Sequence, residues 1–120
     1  MALTAKQLLA ASDRATKTLP IPAWGGDVVI GTISKALARA IIRECVNDKG
    51  EPDYEMRERR YLQACLVEPQ ITQAQADVLY QQNGPAIDYI LAEWLKLSAM
   101  TADGYMTKQG VDDAERQFPS

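Results

Sequence analysis

Cys45 and Cys65 carry the only thiols in this sequence of 120 residues, which contains no histidine. A thiol can act as a nucleophile or as half of a redox pair, but the Cys-His dyad, the Ser-His-Asp triad and histidine-ligated zinc all need a histidine. Two cysteines are also too few for a disulfide scaffold or a Cys₄ metal site. Each falls on the apolar side of a predicted helix, so we expect both to be buried packing residues.

One acidic segment could bind a divalent cation, because it contains Asp48, Glu51, Asp53 and Glu55. A calcium-binding loop of the EF-hand type needs oxygen ligands at alternate positions, a central glycine and a distal glutamate. The spacing of these four residues does not provide that pattern. We therefore interpret them as solvated loop charges, and the sequence predicts no metal site.

Three arginines follow, Arg57, Arg59 and Arg60, and could bind a phosphate group. Acidic residues lie within the same two helical turns, so the local charge is nearly neutral, which favours a helix surface held by salt bridges. The Gly25-Gly26 pair matches neither the dinucleotide-binding nor the Walker glycine pattern. The sequence thus predicts no cofactor, no catalytic residues and no enzymatic activity.

The overall composition limits the classes of partner. Lys plus Arg is 13 and Asp plus Glu is 16, which gives a net charge of −3. Nucleic-acid binders and polybasic membrane helices both need a positive surface, so neither is expected. The first residues lack a signal-peptide pattern, and no apolar run approaches the roughly 18 residues of a membrane span. We expect an intracellular interaction protein of one domain.

Helix-capping signals show which elements carry these residues. Thr4 and Thr72 each precede a glutamine by three positions, which is the pattern of a capping box. Ser34 is a further N-cap, and Pro85 suits a first helical position. Combined with the apolar periodicity, these signals predict five helices, at about residues 5–14, 35–46, 53–68, 72–82 and 85–99.

A β-hairpin is predicted at about residues 17–33, on either side of a tight Gly25-Gly26 turn. Pro20 and Pro22 cannot donate ladder hydrogen bonds, so the first strand must lie at an edge and the hairpin must pack on helices. Apolar periodicity fades after Met100. The predicted fold is α+β: a mainly helical single domain over residues 1–100 with one edge β-hairpin, followed by a flexible tail over residues 101–120.

Candidate contact residues lie at the hairpin tip and on the last helix. The apolar arc of that helix is wider than the stripe of an ordinary surface helix, so two neighbours, or one neighbour and a partner, should clasp it. Trp94 in the middle of the arc should face the core, whereas Leu95 and Leu97 at its margins could contact a partner. Trp24 either tucks under the turn or faces a partner, and Tyr89 on the polar side is a further candidate.

The order of several segments is more informative than any one of them. Leu19-Pro-Ile-Pro-Ala-Trp-Gly-Gly-Asp-Val-Val-Ile30 is followed by Ser34 and a helix rich in alanine and arginine. A central helix then contains Arg59-Arg-Tyr-Leu-Gln-Ala-Cys-Leu-Val67, and two closing helices follow over residues 71–98. In this order, which covers roughly residues 3–100, the chain resembles the tail assembly chaperones of long-tailed siphophages and prophages.

This resemblance implies a non-enzymatic factor that binds the tape measure protein, a long helical protein that sets tail length. The factor would keep that protein soluble until tail-tube subunits polymerise around it. A longer product made by ribosomal frameshift would engage the tail-tube subunit, and self-association stays open. The protein would act in the host cell cytoplasm and be absent from the mature virion. The alternative is a small structural subunit of a phage particle, such as a head–tail connector component, which would be present in the virion.

Overall fold

The computed structural model describes residues 2–98, and the predicted flexible tail at 101–120 lies outside them. Within the described part, five helices and a three-stranded antiparallel sheet form a mainly helical α+β domain, which confirms the predicted fold class. The helices are α1 (Ala5–Ala10), α2 (Lys35–Glu44), α3 (Tyr54–Cys65), α4 (Gln73–Gln82) and α5 (Pro85–Leu97). The strands are β1 (Thr16–Ile21), β2 (Gly26–Gly31) and β3 (Leu66–Glu68).

The hairpin forms as predicted, and β1 lies at the edge of the sheet order β1-β2-β3. The prediction of a two-residue Gly25-Gly26 turn is wrong. Pro22–Trp24 forms a single 3₁₀ turn, Gly25 follows it at φ 72°, and Gly26 already pairs with Ile21. A proline that presets φ at the start of this turn is the physical reason for the longer connection.

The capping signals position the helix starts, and two predicted helix ends are wrong. The Thr4 and Thr72 hydroxyl oxygens each accept from the backbone amide three residues on, at 3.2 Å. Helix α1 ends at Ala10 instead of residue 14, because Ala15 pairs with Thr32 and prolongs the hairpin. Helix α3 ends at Cys65 instead of residue 68, because the next three residues form β3.

Strand β3 is the element that the sequence did not reveal. Leu66 pairs with Ile30 and Glu68 with Val29, with an irregularity in register between these two positions of β2. Three residues are too few to display the alternation by which a strand is recognised. The strand gives the sheet a third member and attaches the end of α3 to the hairpin.

Helix α5 is clasped by two neighbours of the same chain, the sheet on one side and α3 on the other. Trp94 faces the core as predicted, with 1% of its surface exposed and its ring centroid 4.8 Å from that of Tyr61. Cys45 and Cys65 are both buried, as expected. Burial raises the pKa of the Cys65 thiol to about 12, and burial also raises the pKa of the Cys45 thiol above its ordinary value, so neither is poised as a thiolate.

The prediction for the three arginines of α3 is right for Arg60 and wrong for Arg57. Arg60 forms the expected type of salt bridge, with its Nη1 2.8 Å from Oε2 of Glu44. The expectation of a helix surface held by salt bridges is wrong for Arg57, which is only 7% exposed. Its guanidinium donates to the carbonyl oxygen of Ile42 at 3.4 Å and lies over the ring of Tyr54. Arg57 therefore caps the negative end of α2, which explains why a cation is buried there.

Candidate interaction surfaces

Helix α1 exposes every one of its residues and buries none. Its capping box is complete, since Gln7 Oε1 also accepts from the Thr4 amide at 2.9 Å. Leu3, Leu8 and Leu9 are 60%, 59% and 90% exposed. We call residues 3–10 the N-terminal arm: helix α1 with the two residues before it, whose leucines lie outside the core.

The sequence reasoning missed the arm as a site, although a signal was present. Leu8 and Leu9 are adjacent in a helix of six residues, so the small Ala5 is their one apolar neighbour three or four positions away within that helix. Such a helix cannot present the repeated stripe that attaches a longer amphipathic helix to its domain. Large exposed apolar side chains next to each other mark an interaction surface more reliably than scattered ones.

Trp24 is tucked against the junction between α4 and α5. Its indole Nε1 donates to Oδ1 of Asn83 at 3.0 Å, and the ring is half-buried against the core. Asn83 in turn donates to the carbonyl oxygen of Leu79 at 2.8 Å. Trp24 thus connects the hairpin tip to the helices, which is the first of its two predicted placements.

The three candidates on α5 occupy different environments. Leu95 and Leu97 are half-buried and pack against the core. Tyr89 is 39% exposed, on the side of α5 that faces β1. Leu95 and Leu97 therefore take part in internal packing, which fills much of the apolar arc of α5, whereas Tyr89 remains exposed.

A charged group joins β1 to α5. Nζ of Lys17 lies 2.8 Å from Oε2 of Glu93, and Nζ of Lys96 lies 3.4 Å from Oε1 of the same carboxylate. The hydrogen bond from Lys17 lowers the pKa of Glu93, and the same bond raises the pKa of Lys17. These ion pairs stabilise the contact between the edge strand β1 and helix α5. They do not form a reactive centre, because the Glu93 carboxylate stays ionised and paired.

Glu58 and Tyr80 form a polar contact between α3 and α4. The Tyr80 hydroxyl lies 3.4 Å from Oε2 of Glu58. Burial raises the pKa of Glu58 and raises that of Tyr80 to about 12. Within residues 2–98, no group of three or more Cys, Asp or Glu side chains is arranged to hold a metal ion.

A cleft of about 560 Å³ lies beside the base of the arm. Arg14 lines one wall, Ser34 and Leu37 at the start of α2 line another, and Ile71 lies on the far side. Asp13 contributes the one carboxylate among the described lining residues. The lining therefore combines one carboxylate and one guanidinium with hydroxyl, amide and apolar side chains.

Neither the helix lengths nor comparisons with known proteins add a further candidate surface. In the described part of the chain, no helix has the length and apolar character needed to cross a bilayer. The longest, α5, has 13 residues, whereas a span needs about 20. Comparisons of this chain with protein-family models, with curated proteins and with solved structures find no match.

Proposed function

We propose that this protein is a tail assembly chaperone, a non-enzymatic factor that binds the tape measure protein of its phage or prophage and keeps it soluble. It acts in the host cytoplasm and is not retained in the mature virion. The observation that carries the proposal is the N-terminal arm, whose leucines lie outside the protein's own core. The order of segments over roughly residues 3–100, which resembles that of tail assembly chaperones, supports the same function.

The physical mechanism is the covering of apolar helix faces. A long helical protein with an uncovered apolar stripe aggregates before its assembly partners arrive. Leu8 and Leu9 can pack on such a stripe, and each Å² of apolar surface removed from water contributes about 25 cal/mol. The capping box favours the helical conformation of the arm, which reduces the ordering cost of binding.

The first prediction tests the arm directly. Leu8→Gln combined with Leu9→Gln should abolish co-purification with the tape measure protein and return that protein to the insoluble fraction on co-expression. Glutamine keeps a helix propensity close to that of leucine, so the arm stays helical. Since α1 buries nothing, the melting temperature should change by less than about 2 °C.

Val78→Gln is the matched control, because Val78 is 51% exposed on α4 and loses the same apolar character. It should leave solubilisation unchanged. If the double variant solubilises the tape measure protein as well as the wild type does, the arm is not the binding surface. If the wild type gives no solubilisation and is found in purified particles, the protein is a structural subunit instead.

A further inference from the structure

Three cations form a row along the outer face of α2. Lys35, Arg39 and Arg43 are each one helical turn apart and are all exposed. None of them makes a salt bridge with a residue in the range 2–98, whereas Lys17, Arg60 and Lys96 all do. A cation at the first position of a helix also opposes the helix dipole, so Lys35 does not stabilise α2.

An apolar strip runs beside this row on the same helix. Ala36 is exposed, Ala40 is half-buried, and Leu37 is 38% exposed at the edge of the cleft. Alanine side chains let a second helix approach closely, at the lower end of the 8–10 Å range of interaxial distances. The opposite face of α2 faces the core through Ala38 and Ile41, and in the described part of the chain Lys35, Ala36 and Arg39 on the outer face are exposed.

We infer that this face of α2 binds a helical segment of the partner that carries carboxylates one turn apart beside an apolar stripe. The inference rests on the proposed function and specifies the chemistry of the partner helix. The carboxylates would meet the cation row, and the apolar side chains would cover Ala36, Ala40 and Leu37. Charge complementarity of this kind sets orientation and association rate more than total affinity.

Two other occupants fit the surface less well. A nucleic acid would use the cations but has no use for the apolar strip, and the chain has a net charge of −3. A second copy would have to supply the acidic helix, but none of the helices in the described part carries three carboxylates. Helices α3 and α5 have two each, and Glu93 of α5 is already paired with Lys17. An acidic amphipathic helix from another protein matches both features.

The test compares two charge reversals at exposed, unpaired cations. Arg39→Glu changes the row on α2, and Lys49→Glu changes the net charge equally in the loop after α2. The probe is a synthetic helical peptide of about four turns with Glu one turn apart and Leu on the adjoining face. We expect Arg39→Glu to weaken peptide binding about tenfold or more at low salt and Lys49→Glu to leave it within about twofold.

Binding measurements at high salt and with single-stranded DNA distinguish the possible outcomes of this test. The difference between the two variants should shrink at about 0.5 M salt, because exposed charges are then screened. Equal weakening by both reversals, or none by Arg39→Glu in a folded protein, would overturn the inference. If Arg39→Glu weakens binding to single-stranded DNA as much as it weakens binding to the peptide, the cation row is a phosphate-binding site. That result would also overturn the inference. If the peptide behaves as expected but the wild type does not bind the tape measure protein, the inference stands and the proposed function fails.

Discussion

At the scale of single residues, Gly25 is the one residue of the hairpin tip that has a positive φ angle. Gly25 has φ 72°, in the left-handed region that residues with a Cβ atom avoid. Gly26 has no positive φ and begins β2, and a Cβ atom added at either position would meet nothing within 4 Å. The two adjacent glycines therefore differ in backbone conformation alone, so a matched pair of substitutions isolates that difference.

Gly25→Ala should lower the free energy of unfolding by about 1 kcal/mol, because alanine pays a steric cost at positive φ. Gly26→Ala should change it by less than about 0.5 kcal/mol, since neither space nor backbone conformation opposes it. Urea unfolding followed by circular dichroism measures both. Equal losses for the two variants would show that the turn does not need the left-handed conformation at residue 25.

At the scale of elements, the contact between β1 and α5 includes an ion pair whose contribution to the stability of the fold depends on pH. Lys17 lowers the pKa of Glu93 in the folded protein. A carboxyl group with a depressed pKa stabilises the fold while it is ionised, and this contribution is lost as the pH falls through its folded pKa. Because Lys17 is largely exposed, the effect is modest and sensitive to salt.

Glu93→Gln should therefore lower the melting temperature at about pH 7 and leave it close to that of the wild type at about pH 3. The glutamine keeps the shape of the side chain and removes its charge. Glu51→Gln, which removes an exposed loop carboxylate, should show a much smaller dependence on pH. If the two variants respond alike between these pH values, the Lys17–Glu93 pair does not contribute to the contact.

The elements that the sequence predicted are those whose signals are local. Thr4, Ser34 and Thr72 mark helix starts because each cap interacts with an amide three residues away. Strand β3 escaped prediction because its three residues are held by a partner strand 36 or more positions earlier, which no local pattern reports. The early end of α3 follows from the same distant pairing.

The candidate contact residues were harder to predict, for a related reason. Leu95 and Leu97 were predicted to lie at the margins of a wide apolar arc and to contact a partner. The sequence does not show that the sheet and α3 pack on both sides of α5. Trp24 could be placed at the hairpin tip but not against Asn83, which is 59 positions away. The arm was overlooked because exposure is a property of tertiary packing, and the lack of a repeated apolar stripe around Leu8 and Leu9 is the one local signal of it.

At the scale of the whole molecule, folding and the proposed binding by the N-terminal arm occupy different parts of the chain. The cooperative body begins near Ala15, whose amide donates to Thr32 Oγ1 at 3.1 Å and whose carbonyl oxygen accepts from the Thr32 amide at 2.9 Å. Within the described residues, the hydrogen bonds of α1 are all local to the segment from Thr4 to Ala11. The arm should therefore be removable without loss of the fold.

Deletion of residues 2–10 should leave the melting temperature within about 2 °C of the full chain, because no apolar surface of the core is uncovered. Deletion of residues 2–15 should lower it clearly, since the pairing of Ala15 with Thr32 is then lost. Differential scanning calorimetry measures both. A large drop for the shorter deletion would mean that the arm packs on the body in solution.

The separation of the arm from the core has an evolutionary consequence. Substitutions in most of a small domain are filtered first by stability, because even about 1–2 kcal/mol changes the amount of folded protein in the cell. Substitutions in α1 escape that filter, since none of its side chains is buried. Selection can therefore tune residues 3–10 to a new partner in a few steps, with no compensating changes elsewhere. A rapidly diverging arm on a conserved body is the pattern to expect among the relatives of this protein.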